Sequence, residues 1–134
     1  MPAIPAVPAI TALYAALLGL LAATLTIRVI VKRVRLRVVA SDGGLPDMAQ
    51  AIRAHANFAE HVPLALLLIT LAEMLGTWPV ALHGLGIALV AARLLSAVGL
   101  SRSLGATNPR QSGAGLTILV TIAASALVLF TVLR

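Results

Sequence analysis

Long stretches without charged side chains dominate the chain and predict helices that cross a membrane. Residues 1–27 contain no charged side chain, and further uncharged stretches cover residues 74–92 and 111–133. Each stretch is long enough to span a bilayer, since a membrane helix needs roughly 20 apolar residues. Prolines cluster at the front of the first stretch, so we expect its helix to begin near residue 9.

A shorter apolar stretch, residues 62–72, predicts a helix with an unusual polar segment. Alone it is too short to cross a bilayer. It becomes long enough only if the helix extends backward through Glu60, Asn57 and Arg53, which places ionisable groups in or near the membrane. The sequence thus predicts an all-α integral membrane protein, a four-transmembrane-helix bundle in a single domain of residues 1–134. The predicted helices cover about 9–31, 47–75, 79–100 and 111–133.

The loops between these helices differ in charge. Turn-forming residues mark loops at 41–47, 76–79 and 105–109, and in the first of them Asp47 is expected to cap the second helix. Basic residues surround the first and third loops: Arg28, Lys32, Arg33, Arg35, Arg37, Arg53, Arg93, Arg102 and Arg110. Because cytoplasmic loops carry the excess of Lys and Arg, loops one and three should be cytoplasmic and both termini outside. In a bacterium this membrane would be the inner membrane.

Composition argues against two classes of protein. Of the 134 residues, 60% are apolar and only 10% are charged, whereas a disordered chain needs low hydrophobicity and high charge. A soluble globular protein is about 45–50% apolar. The net charge of +6 would suggest nucleic acid binding in a soluble protein. Here we expect membrane lipids and an anionic ligand as partners, and no nucleic acid. The chain has no cysteine, so thiol chemistry would require a thiol from a ligand.

The polar part of the second helix contains the candidate chemistry. Arg53, Asn57 and Glu60 are spaced i, i+4 and i+7 and therefore lie on one helical face, with His61 at its edge. Arg53 suits a carboxylate, Asn57 can both donate and accept, and Glu60 can receive an ammonium group. These side chains suit a zwitterionic, peptide-like ligand. An internal Arg53–Glu60 pair that only fixes helix packing explains the spacing equally well.

This segment resembles a family signature. Residues 53–63, RAHANFAEHVP, follow the pattern R-x-x-x-N-x-x-E of the membrane-associated proteins in eicosanoid and glutathione metabolism (MAPEG), which include microsomal glutathione transferases. The resemblance implies a homotrimer that holds glutathione between neighbouring subunits near the cytoplasmic face. It assigns glutathione binding to Arg53, Asn57 and Glu60. It adds His61, where some members have a tyrosine, and His55 as a contribution from an adjacent subunit.

The third helix and the loop after it depart from the pattern of that family. Ser96 and Leu100 occupy positions where eicosanoid-synthesising members have ligand-binding tyrosines. Thr107 occupies the position of the arginine that activates the thiol in those members. The resemblance therefore supports glutathione binding better than it supports any particular catalysis.

Arginines near the end of the third helix are the remaining candidates for the thiol chemistry. Arg93 matches an arginine of the family, and we expect it to contribute to glutathione binding or to pair with Glu60 across subunits. Arg102 is expected to act as the catalytic residue that stabilises the thiolate, with Arg110 as the second choice.

These observations favour a glutathione-dependent membrane transferase or peroxidase that acts on hydrophobic electrophiles, with glutathione as co-substrate. The alternative is a non-catalytic MAPEG-like membrane protein that binds lipid or glutathione. A small proton-coupled exporter is disfavoured, because it needs an isolated membrane carboxylate and Glu60 shares its helical face with Arg53. No metal site is expected, because His55 and His61 do not share a helical face.

Three polar residues outside this segment have simpler interpretations. Tyr14 is expected to be a packing or interfacial aromatic residue of the first helix. His83 is expected to hydrogen-bond between helices, and Glu73 to lie in the headgroup region at the outer end of the second helix.

Overall fold

The protein is built from long α-helices. The computed structural model describes residues 7–102 and 108–134, without the side chains of residues 100–102 and 108–110. Within these residues the helices are α1 (Ala9–Leu36), α2 (Pro46–Met74), α3 (Pro79–Arg102) and α4 (Asn108–Leu133). Each of the four contains a segment long and apolar enough to cross a membrane. The all-helical fold with four spans that the sequence predicts is therefore confirmed.

The first loop lies between two helix ends that extend beyond the apolar stretches. α1 continues to Leu36, past the end expected near residue 31, and the chain leaves it at Arg37 with a left-handed backbone (φ 54°). α2 begins at Pro46 without a side-chain cap, so the expectation that Asp47 caps it was wrong. The Asp47 carboxylate instead lies 2.9 Å from the Lys32 ammonium group, which joins the two helices beside the loop.

α2 and α3 form the centre of the bundle. Each of them contacts all three other helices, whereas the described parts of α1 and α4 do not contact each other. Small side chains on α2 permit this packing, since Ala54, Ala65 and Ala72 are at most 2% exposed. α3 and α4 approach closely at Gly113, where a Cβ atom would lie 2.6 Å from the carbonyl oxygen of Ala92.

At one end of the bundle a carboxylate from α2 caps the first turn of α1. Glu73 Oε1 accepts a hydrogen bond from the Ile10 amide at 2.9 Å. Its Oε2 atom accepts from the Thr11 amide at 2.7 Å and from the Thr11 hydroxyl at 2.6 Å. An anion is favoured here, because the first amides of a helix lack intrahelical acceptors. Glu73 was expected only to lie in the headgroup region. The structure shows in addition that it binds the first turn of α1.

A second polar contact at this end joins α1 to α3. The Tyr14 hydroxyl lies 2.7 Å from His83 Nδ1, which confirms the expected interhelical hydrogen bond of His83. Tyr14 is 6% exposed, so it packs inside the bundle. Its ring lies against Gly86, and a Cβ atom there would collide with it.

We predict that Glu73→Ala lowers the stability of the protein. Two backbone amides and one hydroxyl lose a charged acceptor, and hydrogen bonds to charged groups contribute about 1.5–3 kcal/mol. Thermal unfolding of the purified protein in detergent measures the effect. Glu73→Gln should cost less, since its carbonyl oxygen remains an acceptor.

Thr26→Ala is the matched control, because the exposed Thr26 hydroxyl donates to the Ala22 carbonyl of its own helix, one turn earlier. The free energy of unfolding of this variant should lie within about 0.5 kcal/mol of the wild-type value, as is usual for surface substitutions. A Glu73→Ala variant as stable as this control would contradict the capping role.

Candidate functional site

Arg53, Asn57 and Glu60 form the polar face of α2. Its two charged side chains are exposed at the outside of the subunit. The side chains of Arg53 and Glu60 are 49% and 52% exposed, and Arg53 Nη1 lies 3.7 Å from Glu60 Oε1. An ion pair this long and this exposed contributes little to stability. The internal pair considered from the spacing is thus present but loose, and both groups keep hydrogen-bonding capacity for a ligand.

Asn57 connects this face to the interior of the bundle. It lies about one helical turn from Arg53 and from Glu60. Its Oδ1 atom accepts a hydrogen bond of 2.8 Å from Nη2 of Arg93 on α3. Because Arg93 is only 2% exposed, its side chain cannot meet a ligand or Glu60 of another subunit without moving. Those expected roles of Arg93 stay predictions, and the structure gives it a different partner.

Arg93 stands in an enclosed, sparsely hydrogen-bonded environment. Its Nε and Nη1 groups have no hydrogen-bond partner among the described residues, and neither has the hydroxyl of Ser96, one turn further along α3. Ser96 is 3% exposed, and Gly113 of α4 packs so closely on it that a Cβ atom would collide with its hydroxyl. A buried cation depends strongly on each acceptor that it has, so the Asn57 oxygen is central to this arrangement.

The two histidines of α2 differ in exposure. His55 is partly buried and His61 is exposed. Their expected contributions to glutathione binding stay predictions. In the part of the chain that the structure describes, no group of three or more His, Cys, Asp or Glu residues is placed to hold a metal ion.

The two arginines proposed for thiol activation flank the break between α3 and α4. Arg102 is the last residue of α3, and Arg110 lies in the first turn of α4. The side chains of both, and of Leu100, lie outside the described residues, as does Thr107. The catalytic assignments therefore stay predictions.

A cavity of about 210 Å³ lies beside the polar face, at the end of the bundle that holds the first loop. Arg33 from the end of α1 and Arg53 from α2 both line it. The loop supplies Ser41, in a left-handed conformation (φ 54°), and its carbonyl oxygen accepts a 3.0 Å hydrogen bond from Arg33. Asp42 also lines the cavity, and its carboxylate accepts from the Gly44 amide at 2.9 Å.

Arg33 is a charged residue of this cavity that sequence reasoning did not single out as a site residue. It was one of many basic residues near the first loop, and that charge cluster was its only sequence signal. The turn of the chain through residues 37–44 brings it to the same cavity as Arg53.

A larger cavity of about 450 Å³ lies at the opposite end, between the α2–α3 turn and the end of α4. Its lining is mainly apolar and includes Trp78, Leu127 and Phe130, with Arg134 as its charged side chain. None of the residues of the polar face lines it. We therefore place the candidate site at the smaller, charged cavity and the adjoining face of α2.

The fold and this polar face define an integral, multi-pass membrane protein with four spanning helices. A sequence model of the MAPEG family matches residues 11–130, so the chain belongs to that family, as its second-helix signature predicted. Inner membrane protein YecN of Escherichia coli strain K12 is 38% identical over 95 residues, which cover 66% of this chain and 71% of YecN. YecN of Escherichia coli O6:H1 strain CFT073 matches to the same extent.

Proposed function

We propose that the protein is a homotrimeric glutathione-dependent transferase or peroxidase that acts on hydrophobic electrophiles in the membrane. The observation that carries this proposal is the exposed Arg53–Glu60 pair on a membrane-spanning helix. Lipid cannot solvate these charges, so they must face protein, water or a polar ligand. Membership of the MAPEG family makes glutathione the ligand to test first.

The same side of α2 supports contact with another subunit. Beyond Glu60, the exposed side continues through Leu64, Leu67 and Leu71, which are 55%, 54% and 39% exposed. These residues follow Glu60 at i+4, i+7 and i+11 and therefore share its helical side. A charged segment that continues into an apolar one suits a subunit interface in which the ligand lies at the charged end. This arrangement supports the homotrimer that the family resemblance implies.

The charges of the polar face match those of glutathione. Arg53 can donate paired hydrogen bonds to a carboxylate, and Glu60 can accept hydrogen bonds from an ammonium group. The chain has no cysteine, so the tripeptide would supply the nucleophile. In the transfer reaction its thiol proton passes to solvent, the thiolate attacks an electrophilic carbon and a C–S bond forms. The leaving group departs with its bonding electron pair.

Thiolate formation requires a positive group near the sulfur. A free cysteine thiol has a pKa of about 8.5, and lowering that pKa by about 2 units takes roughly 2.7 kcal/mol. A guanidinium in a partly dry site can supply this energy. Arg93 is buried and bonded to Asn57, which leaves Arg102 as our first candidate and Arg110 as the second.

A non-catalytic protein that binds lipid or glutathione is the second candidate function. The burial of Ser96 supports it, because this residue stands where eicosanoid-synthesising members have a ligand-binding tyrosine. At 3% exposure the serine is not accessible to a ligand. A proton-coupled exporter has less support, since Glu60 lies 3.7 Å from Arg53 and is not an isolated carboxylate.

We assign the membrane orientation from the distribution of basic residues. The cavity lined by Arg33 and Arg53 lies at the end that we assign to the cytoplasm, where glutathione would be supplied. For a bacterial protein, the membrane would be the inner membrane, the location in the name of YecN.

We predict that reporter fusions near Gly43 and near Asn108 read cytoplasmic and that a fusion near Thr77 reads external. Paired enzymatic reporters, one active only inside and one only outside, measure this. The reverse pattern would place the charged cavity away from the cytoplasmic glutathione supply and would contradict the proposed site.

We predict that Arg53→Ala and Glu60→Ala each weaken glutathione binding about tenfold or more while the oligomer persists. The loss of a charge-assisted hydrogen bond, about 1.5–3 kcal/mol, is the reason. Calorimetric titration measures binding, and light scattering in detergent measures assembly. Arg35→Ala removes the same charge from an exposed position of α1 and should bind like wild type.

The opposite division of effects would favour the packing interpretation of this pair. If both variants bind glutathione normally but dissociate into monomers, Arg53 and Glu60 serve assembly rather than ligand binding.

We predict that Arg102→Ala leaves glutathione affinity within a few-fold of wild type and removes most of the thiolate absorbance and aryl-halide conjugation. The reason is that this arginine is assigned to the sulfur and not to the peptide. Arg110→Ala is the parallel variant, expected to have a smaller effect. If wild-type protein binds glutathione but forms no thiolate at neutral pH, the non-catalytic function replaces the enzyme.

A further inference from the structure

The contact between Asn57 and Arg93 determines which way the Asn57 amide points. An asparagine side chain has one acceptor oxygen and one donor NH₂ group, whereas a guanidinium has donors only. The 2.8 Å contact from Arg93 Nη2 therefore has to meet the Asn57 oxygen, as the structure has it. The amide NH₂ group is then turned away from Arg93.

The burial of Arg93 makes this orientation costly to reverse. Arg93 is 2% exposed, and its Nε and Nη1 groups have no partner among the described residues. Rotation of the Asn57 amide would place donor against donor and remove the acceptor that Arg93 meets there. A buried charge without a partner is strongly destabilising, so the oxygen should stay on Arg93.

We propose that Arg93 is a positioning residue that restricts Asn57 to donating toward the ligand. Asn57 and Arg53 then form a donor-only subsite, one turn apart on the same face of α2, that takes a ligand carboxylate. Glu60 lies about one turn beyond Asn57 and accepts from an ammonium group. This inference rests on the proposed function and deepens it, because it specifies where the ligand must accept hydrogen bonds and where it must donate them.

The geometry around Asn57 supports access to a ligand from the outside of the subunit. Asn57 itself is only partly buried, and Arg53 and Glu60 on either side of it are exposed. From its sequence position alone, Asn57 can donate or accept with equal ease. The buried guanidinium on α3 removes that choice.

Asn57→Asp and Asn57→Ala, made in the full chain, test the roles of the amide oxygen and the amide NH₂ group separately. Asn57→Asp keeps an oxygen for Arg93 but replaces the NH₂ group with a second oxygen, which repels a ligand carboxylate. Without ligand, it should melt at or above the temperature of wild type, whereas Asn57→Ala should melt lower. Calorimetric titration with glutathione should show an affinity for Asn57→Asp at least about tenfold weaker than wild type.

Arg93→Lys and Arg93→Gln test the positioning role. Lysine has donors only and keeps the Asn57 oxygen in place, whereas glutamine has both a donor and an acceptor and lets the amide turn. The readout is the ratio of affinities for glutathione and for its diethyl ester, in which both carboxylates are masked. Arg93→Lys should keep the wild-type ratio, and Arg93→Gln should lower it about fivefold, the equivalent of one neutral hydrogen bond.

The outcomes distinguish this inference from the proposed function. If Arg93→Gln weakens both ligands equally, Arg93 is merely structural; if Asn57→Asp binds glutathione like wild type, the donor-only subsite is wrong. Both results leave the proposed function intact. If wild-type protein binds neither ligand, the proposed function fails and the ligand part of this inference fails with it. The melting temperatures without ligand still test the orientation of the Asn57 amide. If Asn57→Asp and Asn57→Ala are destabilised equally, that orientation is wrong.

Discussion

The hydrogen bond between Arg93 and Asn57 ties the interior of this bundle to its polar surface. It places a guanidinium among closely packed helices and gives it an acceptor from α2. The cost of burying such a charge is tolerable only where the surrounding groups hold it in place. Gly113 allows α4 to close over the neighbouring part of α3, which completes the enclosure. The exposed face of α2 is therefore linked, through Asn57, to the buried guanidinium of Arg93.

Hydropathy predicted the fold well, because each span leaves a long apolar stretch in the sequence. The signal was weakest for α2, where polar residues interrupt the stretch. That weakness itself identified the candidate face of Arg53, Asn57 and Glu60. The extension of α1 past its apolar part, to Leu36, is less visible to hydropathy, since charged residues also form helices outside the lipid.

The contacts between helices could not be predicted from spacing. Arg93 lies 36 residues from Asn57, and no periodicity relates positions on different helices. Its burial depends on how α3 faces α2 and α4, so the hydrogen bond between Arg93 and Asn57 could not be read from the sequence. The cap that Glu73 places on α1 and the approach of Arg33 to the Arg53 cavity were missed for the same reason. His83 was easier, because a lone histidine in an apolar span needs a polar partner.

The placement of charged and apolar residues on one side of α2 has a thermodynamic consequence. If the helix that binds ligand also forms the subunit contact through Leu64, Leu67 and Leu71, ligand binding and assembly are linked equilibria. Ligand that prefers the assembled form then stabilises the oligomer, and the oligomer raises ligand affinity by the same factor. Apparent affinity would consequently fall on dilution in detergent. Within a membrane, where the protein is confined to two dimensions, the abundance of the protein would set the sensitivity of each subunit to its ligand.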